Sequence, residues 1–372
     1  NLAFGTSDGS NTAIDHIILY SDGITSFIGD MSLNSNLSVG GDMSLNSNLS
    51  VGGDMSLNSN LSVGGGLTMN SDILVNAITV GRGGGDISTN TVFGIGALYS
   101  NTTGSNNVAN GHQALHDNSR GSYNVANGNG ALHSNTTGNS NIATGTGALF
   151  YNTTGYGNVA TGRNAINNNS TGYNNVANGS NALYSNTIGG SNVANGYAAL
   201  NKNTTGFDNT ANGSNALYHN TTGSNNVANG YAALWKNTTG NSNIANGSGT
   251  LQNNTTGNYN TANGSEALYK NETGSFNVAN GLSALYTNTT GNHNTATGTG
   301  ALYFNTTGLT NTATGSNSLH YNTTGSNNVA TGYQALTSNT TGNYNTATGY
   351  NALFSNKTGS NNVANGYAAL YT

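Results

Sequence analysis

From Asn101 to Thr372 the apolar residues recur with a period of 17, through sixteen copies without insertion or deletion. A clean copy runs Asn322-Thr-Thr-Gly-Ser-Asn-Asn-Val-Ala-Thr-Gly-Tyr-Gln-Ala-Leu-Thr-Ser338. Positions are numbered 1 to 17 from that asparagine. Alanine holds position 9 throughout; position 14 is alanine except at Thr250 and Ser318, and position 15 is leucine except at Ile166. A fixed short period sustained over this length is the mark of a solenoid. The two segments between glycines, such as 191–195 and 367–371, are too short for independent helices. Stacked strand rungs are expected for both. A turn of helix is the alternative for the second, because Ala and Leu favour helix.

Four further columns never vary: Asn at positions 1 and 7, and Gly at positions 4 and 11, with Asn322, Asn328, Gly325 and Gly332 as examples. The glycines are expected at corners where positive φ suits them. The columns at positions 9, 14 and 15 are expected inside, with the position-7 asparagine as an inner amide ladder. Such a coil buries only ~3 to 5 kcal/mol of apolar surface at roughly 25 cal/mol per Å². Ordering it costs about 1.5 kcal/mol per residue. No coil is stable alone, so neighbours must supply the remainder through hydrogen bonds and side-chain ladders. The absence of proline agrees with a continuous ladder. At a strand spacing of about 4.8 Å, the repeats would stack to ~77 Å.

Residues 29–64 hold a different pattern, three identical copies of a 12-residue block that begins Gly-Asp-Met-Ser-Leu-Asn-Ser-Asn-Leu-Ser-Val-Gly. Met31, Leu33, Leu37 and Val39 fall on one side of an alternating pattern, with Ser35 the polar break. That is strand periodicity with one apolar face. One such face makes no core, so partner chains are required, and a three-fold intertwined β fibre meets the need. The expected fold is all-β: a 17-residue-coil β-solenoid preceded by a β-fibre shaft of 12-residue repeats, in an elongated homotrimer. The expected segments are 1–28, an N-terminal β cap or joint; 29–76, the shaft with a decayed fourth copy; 77–100, a transition and capping coil; and 101–372, the solenoid. Within the third, Asn90–Ser100 reads as a degenerate first coil in register, with Val92 at the alanine position and Phe93 at a polar one.

Composition narrows the function. Charged residues are 5% of the 372, the formal net charge is −5, and there is no cysteine. Seven Lys and Arg do not make a phosphate-binding surface, so nucleic acid is not an expected partner. No 18-residue apolar run occurs, so membrane insertion is not expected. No signal peptide or initiating Met is recognised, and the chain reads as a mature or partial product. Glu266 and Glu272 are the only glutamates, and no acid recurs beside a base, so no catalytic residue and no cofactor are expected.

The Asn-Thr-Ala-Thr-Gly-Tyr-Asn-Ala-Leu pattern at 345–353, its Asn-Thr-Thr-Gly spacers and the 12-residue block resemble the repeats of phage tail-fibre proteins, over about residues 29–372. The Ala-x-Gly pattern is also similar to the β-roll heads of trimeric autotransporter adhesins, whose repeat is shorter. The first resemblance implies trimeric virion fibres that help contact a host surface, and a C-terminal chaperone that is cleaved off, of which the sequence carries no trace. It implies a host glycan or protein receptor as partner. A bacterial or extracellular adhesin or filament is the alternative, and an ice-binding solenoid a remote one, suggested by the Thr and Asn around positions 8 to 10. The same positions also read as an interchain seam. The location implied is a virion appendage or the cell surface.

Candidate contacts follow the repeat. Tyr184, Tyr197, Tyr231, Tyr286, Tyr333, Tyr371 and Trp235 stand at positions 12 and 16, where rings beside Asn and Thr suit sugar stacking, or interchain packing and ladder filling. Fourteen of the sixteen position-1 asparagines begin an Asn-x-Thr sequon, among them Asn101, Asn135, Asn152, Asn203, Asn220 and Asn237. Glycosylation is one reading. The other is an Asx turn whose position-3 threonine pairs with the next coil. His116 and His133 share position 16 on adjacent coils, but no carboxylate recurs there and no metal site is named.

Overall fold

The structure, a computed structural model, describes residues 71–371. These fall in one compact unit, residues 68–372. The expected N-terminal cap (1–28), nearly all of the shaft and the trimer that rests on it lie outside the described residues.

The described residues are all-β. Strands β1 (Ile73–Val75) and β2 (Ile78–Gly81) form an antiparallel hairpin whose tip is Asn76-Ala77, so the hairpin straddles the 76/77 boundary expected from the repeats. β2 pairs antiparallel with β3 (Thr91–Gly94). From β3 onward every pairing is parallel, one strand per coil, from β4 (Val108–Asn110) to β19 (Val363–Asn365). Val92 pairs with Ala109, so Asn90–Ser100 is a coil in register with the repeats. Each later alanine pairs with the alanine 17 residues on, as Ala211 does with Ala228. The hairpin lies on the first coil's open edge, and the Gly84–Asp86 turn reaches the same end: Gly84 N–H donates to Leu98 C=O, and Asn101 Nδ2 donates to Gly84 C=O.

From β4 onward each coil contains a single strand of three residues, positions 8 to 10. Its middle alanine points in and its flanking residues point out, as alternation along a strand requires. The second segment is neither strand nor helix. It is two consecutive tight turns. In the first, Ala233 N–H donates to Gly230 C=O and position 13 is left-handed, as Ala232 is at φ 53°. That is the geometry of a type II turn. In the second, Asn237 N–H donates to Leu234 C=O. Between them Leu234 itself is left-handed at φ 52°, and so is every position-15 residue. A left-handed leucine costs about 1–2 kcal/mol, and burying its side chain returns about 1.5–3 kcal/mol. The two nearly cancel, which is why the conformation depends on the stack. Leu234 N–H is held by the next coil, donating to Thr250 C=O at 3.0 Å.

The interior has two halves. One is apolar: the columns at positions 9, 14 and 15 are fully buried along nearly the whole stack. The two exceptions at position 14 keep the hydroxyl satisfied; Thr250 Oγ1 donates to Gly264 C=O at 2.7 Å and Ser318 Oγ to Gly315 C=O at 2.9 Å. The other half is polar. Asn226 Oδ1, at position 7, accepts from the N–H and the Nδ2 of Asn243 at 3.0 and 3.1 Å, while Asn226 N–H and Nδ2 both donate to Asn209 Oδ1 at 3.1 Å. This is the expected inner ladder. A second runs beside it through position 1, where Asn237 Nδ2 donates to Asn220 Oδ1 at 2.7 Å. Both ladders converge on the position-4 carbonyl: Gly240 C=O accepts from Asn237 Nδ2 at 3.0 Å and from Asn226 Nδ2 at 2.8 Å.

That convergence explains the position-4 glycine, and not in the way expected. Its φ is ordinary; a Cβ on Gly240 would collide with Asn237 Oδ1 and with Gly257 C=O of the next coil. Space, not backbone freedom, excludes other residues there. The position-11 glycine needs both: Gly230 has φ 141°, and a Cβ would meet Gly247.

Candidate functional site

With positions 1, 4, 7, 9, 14 and 15 turned inward, the outward residues are free to differ from coil to coil. Side chains that share a position stand one above another. Rings therefore stack at the coil spacing: Tyr269–Tyr286 at 5.1 Å and 3°, Tyr286–Tyr303 at 4.9 Å and 5°, both at position 16. Position 6 holds Tyr259–Phe276–His293, and position 12 holds Tyr333–Tyr350–Tyr367.

Stacking decides what a ring offers. Inside a stack both faces are covered and only the edge meets solvent. Tyr286 has rings on both faces, Tyr333 stacks on Tyr350, and Tyr371 stacks on Phe354. Trp235 meets His219 edge-on at 4.8 Å and lies tilted beside Tyr218 at 6.4 Å. Burial first, then the neighbouring Glu266 and the stacked tyrosines, push the Tyr286 hydroxyl above its usual pKa, and Lys270 Nζ lies 5.6 Å from that ring. Among the described residues no ring lies against Tyr184, Tyr197 or Tyr231. Tyr197 and Tyr231 are 58% and 63% exposed. They share position 12, two coils apart, with Ser214 between them and Ser180 and Ser248 beyond. The seven expected contacts thus do not form one site. Tyr286, Tyr333 and Tyr371 are stacked, Trp235 is met edge-on, Tyr184 is half-buried without a ring partner, and Tyr197 and Tyr231 are open.

The sequons receive a different role. Asn101, Asn135, Asn152, Asn203, Asn220 and Asn237 are buried, and each Nδ2 donates two hydrogen bonds: one to its own coil's glycine C=O, the other to the preceding coil. A glycan on that nitrogen does not fit the folded stack, so the glycosylation reading is corrected. The Asx turn is corrected too, since Oδ1 accepts from the next coil's amide rather than from its own backbone. The position-3 threonine does pair with the next coil, through its backbone: Thr222 N–H donates to Thr238 C=O at 3.2 Å, and the hydroxyl bond to the same carbonyl comes from position 2, Thr221 Oγ1 at 3.0 Å. The repeat's own threonine pair hid this choice, because both positions are threonine in most copies.

Two polar columns complete the surface. Position 10 carries an outer amide ladder from Asn178 to Asn280, where it passes to threonine. Position 17 carries Lys202, His219, Lys236 and Lys270. Burial, and then Lys202 and Lys236, push the His219 pKa below 6.5.

Near the N-terminal end of the stack, Tyr99, His116, His133 and Phe150 form one continuous ring column. Asp117 reaches between the two imidazoles, with Oδ1 2.6 Å from His116 Nδ1 and Oδ2 3.5 Å from His133 Nδ1. Burial lowers the His133 pKa, with Asp117 opposing. The sequence pattern missed this carboxylate because no other position 17 carries one.

Among the described residues no helix is long and apolar enough to cross a membrane. Comparison of the sequence with models of known families and with curated proteins returns no match.

Proposed function

We propose that this chain is a non-enzymatic structural fibre, a phage tail fibre or a similar extended appendage, that contributes to attachment at a host surface. The observation that carries the reading is the division of labour within each coil. The inward columns are uniform and self-sufficient, while the outward positions change from coil to coil. A scaffold of this kind stabilises itself by repetition and leaves its surface free for recognition.

The recognition element we favour is the pair Tyr197 and Tyr231. Two coils separate them by about 9.6 Å at the strand spacing, with the small Ser214 between. Two rings held at that spacing leave a slot that accepts one sugar ring, each face stacked on a tyrosine. A host-surface glycan is the partner class this suits. Sister chains in a homotrimer would lie along the position-8 column, where Val108, Ile142, Ile244 and Val329 are half exposed.

The test is a glycan array read with the full chain and with Tyr197→Ala/Tyr231→Ala. Binding that falls at least tenfold in the double variant, with unchanged melting, supports the slot. Equal binding by both proteins removes it. Antibody labelling of particles in electron micrographs separates a virion appendage from a cellular adhesin. One observation favours a second reading, an ice-binding face. Across 295–348, position 10 is threonine in every coil and position 8 in all but Val329. Thermal hysteresis measured on the purified chain decides it.

A further inference from the structure

We propose that His116, Asp117 and His133 form a binding site for a borderline divalent transition-metal ion such as Zn²⁺. One ligand atom from each of the three lies within 4.8 Å of the other two. This arrangement is fixed from outside the cluster. The two imidazoles occupy the middle of the ring column, 5.1 Å apart and 9° from parallel, with Tyr99 stacked below at 5.5 Å and Phe150 above at 4.7 Å. Stacking therefore holds both imidazoles in one orientation, with the Nδ1 edge of each toward the same carboxylate.

Chemistry selects the ion. Two imidazole nitrogens and one carboxylate suit Zn²⁺, Cu²⁺ or Ni²⁺ at about 2.0–2.2 Å per ligand. Mg²⁺ and Ca²⁺ prefer all-oxygen sets of six or more. Binding parts the 2.6 Å His116–Asp117 contact, displaces the proton within it, and brings the wider-spaced donors in toward the ion. Three protein ligands leave a coordination position open, for water or for a donor from another molecule. Because His116 and Asp117 belong to one coil and His133 to the next, the ion would also clasp two neighbouring coils. Amide pairs between them, such as Asp117 N–H to His133 C=O at 2.9 Å, are the bonds it would protect.

The column itself provides a fold-neutral variant. Asn167 and Asn201 stand naturally at position 16, Asn167 Nδ2 donating to Gly147 C=O at 2.7 Å. His116→Asn/His133→Asn therefore removes two ligands with a residue the stack already accepts. Isothermal titration of the full chain with ZnCl₂, and separately with MgCl₂ and CaCl₂, reads the affinity. The expected result is one Zn²⁺ bound tightly per chain, a loss of at least tenfold in the double variant and in Asp117→Asn, and no comparable Mg²⁺ or Ca²⁺ binding. Hydrogen exchange should slow on zinc addition at the amides of 116–118 and 133–135 and nowhere else. Zinc binding that survives both variants, or no binding by the native chain below millimolar zinc, overturns the proposal. So does exchange that slows evenly along the stack.

Discussion

The two halves of the interior obey different rules. The apolar half accepts exceptions: Ile166 stands in the leucine column, and Thr250 and Ser318 stand in the alanine column, all fully buried. The amide half accepts none in sixteen copies. Apolar packing is non-directional and asks only for volume, so a residue of similar size fits. An amide ladder asks for a donor and an acceptor at one height in every coil. Asn226 shows the demand, with its Oδ1 accepting twice, its Nδ2 donating twice and its own N–H engaged. Aspartate would bring buried like charges together at the coil spacing, and an apolar side chain would orphan the next coil's N–H. Only one buried side-chain atom among the described residues, Asn351 Oδ1, lacks a partner. Satisfaction of the ladders is therefore the rule, and it is what forbids variation.

Substitutions in the middle of the stack break this comparison in graded steps. Gly240→Ala should have the largest effect. Its Cβ has no room between the ladder and the next coil: one neighbour is the backbone of Gly257, and the other is the Asn237 amide oxygen, held in place by Asn254 Nδ2. Overpacking of that kind costs about 1–3 kcal/mol in an ordinary core and more where backbone must shift, so we expect a loss above ~3 kcal/mol. Chemical denaturation, with hydrogen exchange on either side of 240, measures it.

Asn226→Leu comes next. It keeps the approximate volume but leaves Asn243 N–H without an acceptor, and each buried orphan costs about 1–3 kcal/mol. A melting temperature equal to that of the native chain would show that the ladder is decorative. Leu234→Ala should then cost about 2–3 kcal/mol, toward the low end of buried leucine truncations, because it creates a cavity without orphaning a polar group. If it proves more damaging than Asn226→Leu, the ranking of the two halves is reversed.

The smallest effects sharpen the comparison rather than break it. Thr250→Ala restores the column's usual residue and removes one hydroxyl bond, while Gly264 C=O keeps Ala267 N–H as donor. We expect a change within about 1 kcal/mol. Mild acid probes the surface alone. The folded pKa of His133 is lowered below 6.5, so the unfolded chain takes up that proton first. The contribution of His133 is complete above pH 6.5 and is lost as the pH falls toward the folded value. His133→Asn should flatten that part of the pH–melting curve.

Much of this was legible in the chain. Strict periodicity gave the coil length, the inward columns and the position-7 ladder, because each coil meets the same neighbours and the same residue must suit every layer. Asn90–Ser100 was recognisable as a coil in the same way. The turns of the second segment were less legible, although a signal lay in view. Position 13 is often Gly or Asn, as at Gly130, Gly147, Asn164 and Asn181, residues that accept left-handed backbone. The uniform leucine beside it gave the opposite hint, since leucine seldom adopts that conformation.

What the sequence alone determined is the repeat: how long a coil is, which columns cannot vary and which are free. Identity between copies carries that information, since a constant column reports a constant environment. What only the tertiary structure decided is what each environment is. The position-1 asparagine read as either a glycosylation sequon or an Asx turn and proved to be an interior rung. The position-4 glycine looked like a corner and proved to be a gap kept clear for two ladders. Asp117, unremarkable in the alignment of copies, proved to stand between two histidines from adjacent coils. In each case the deciding contact lies 17 residues or so away along the chain but only one layer away in space, and stacking alone brings the two together.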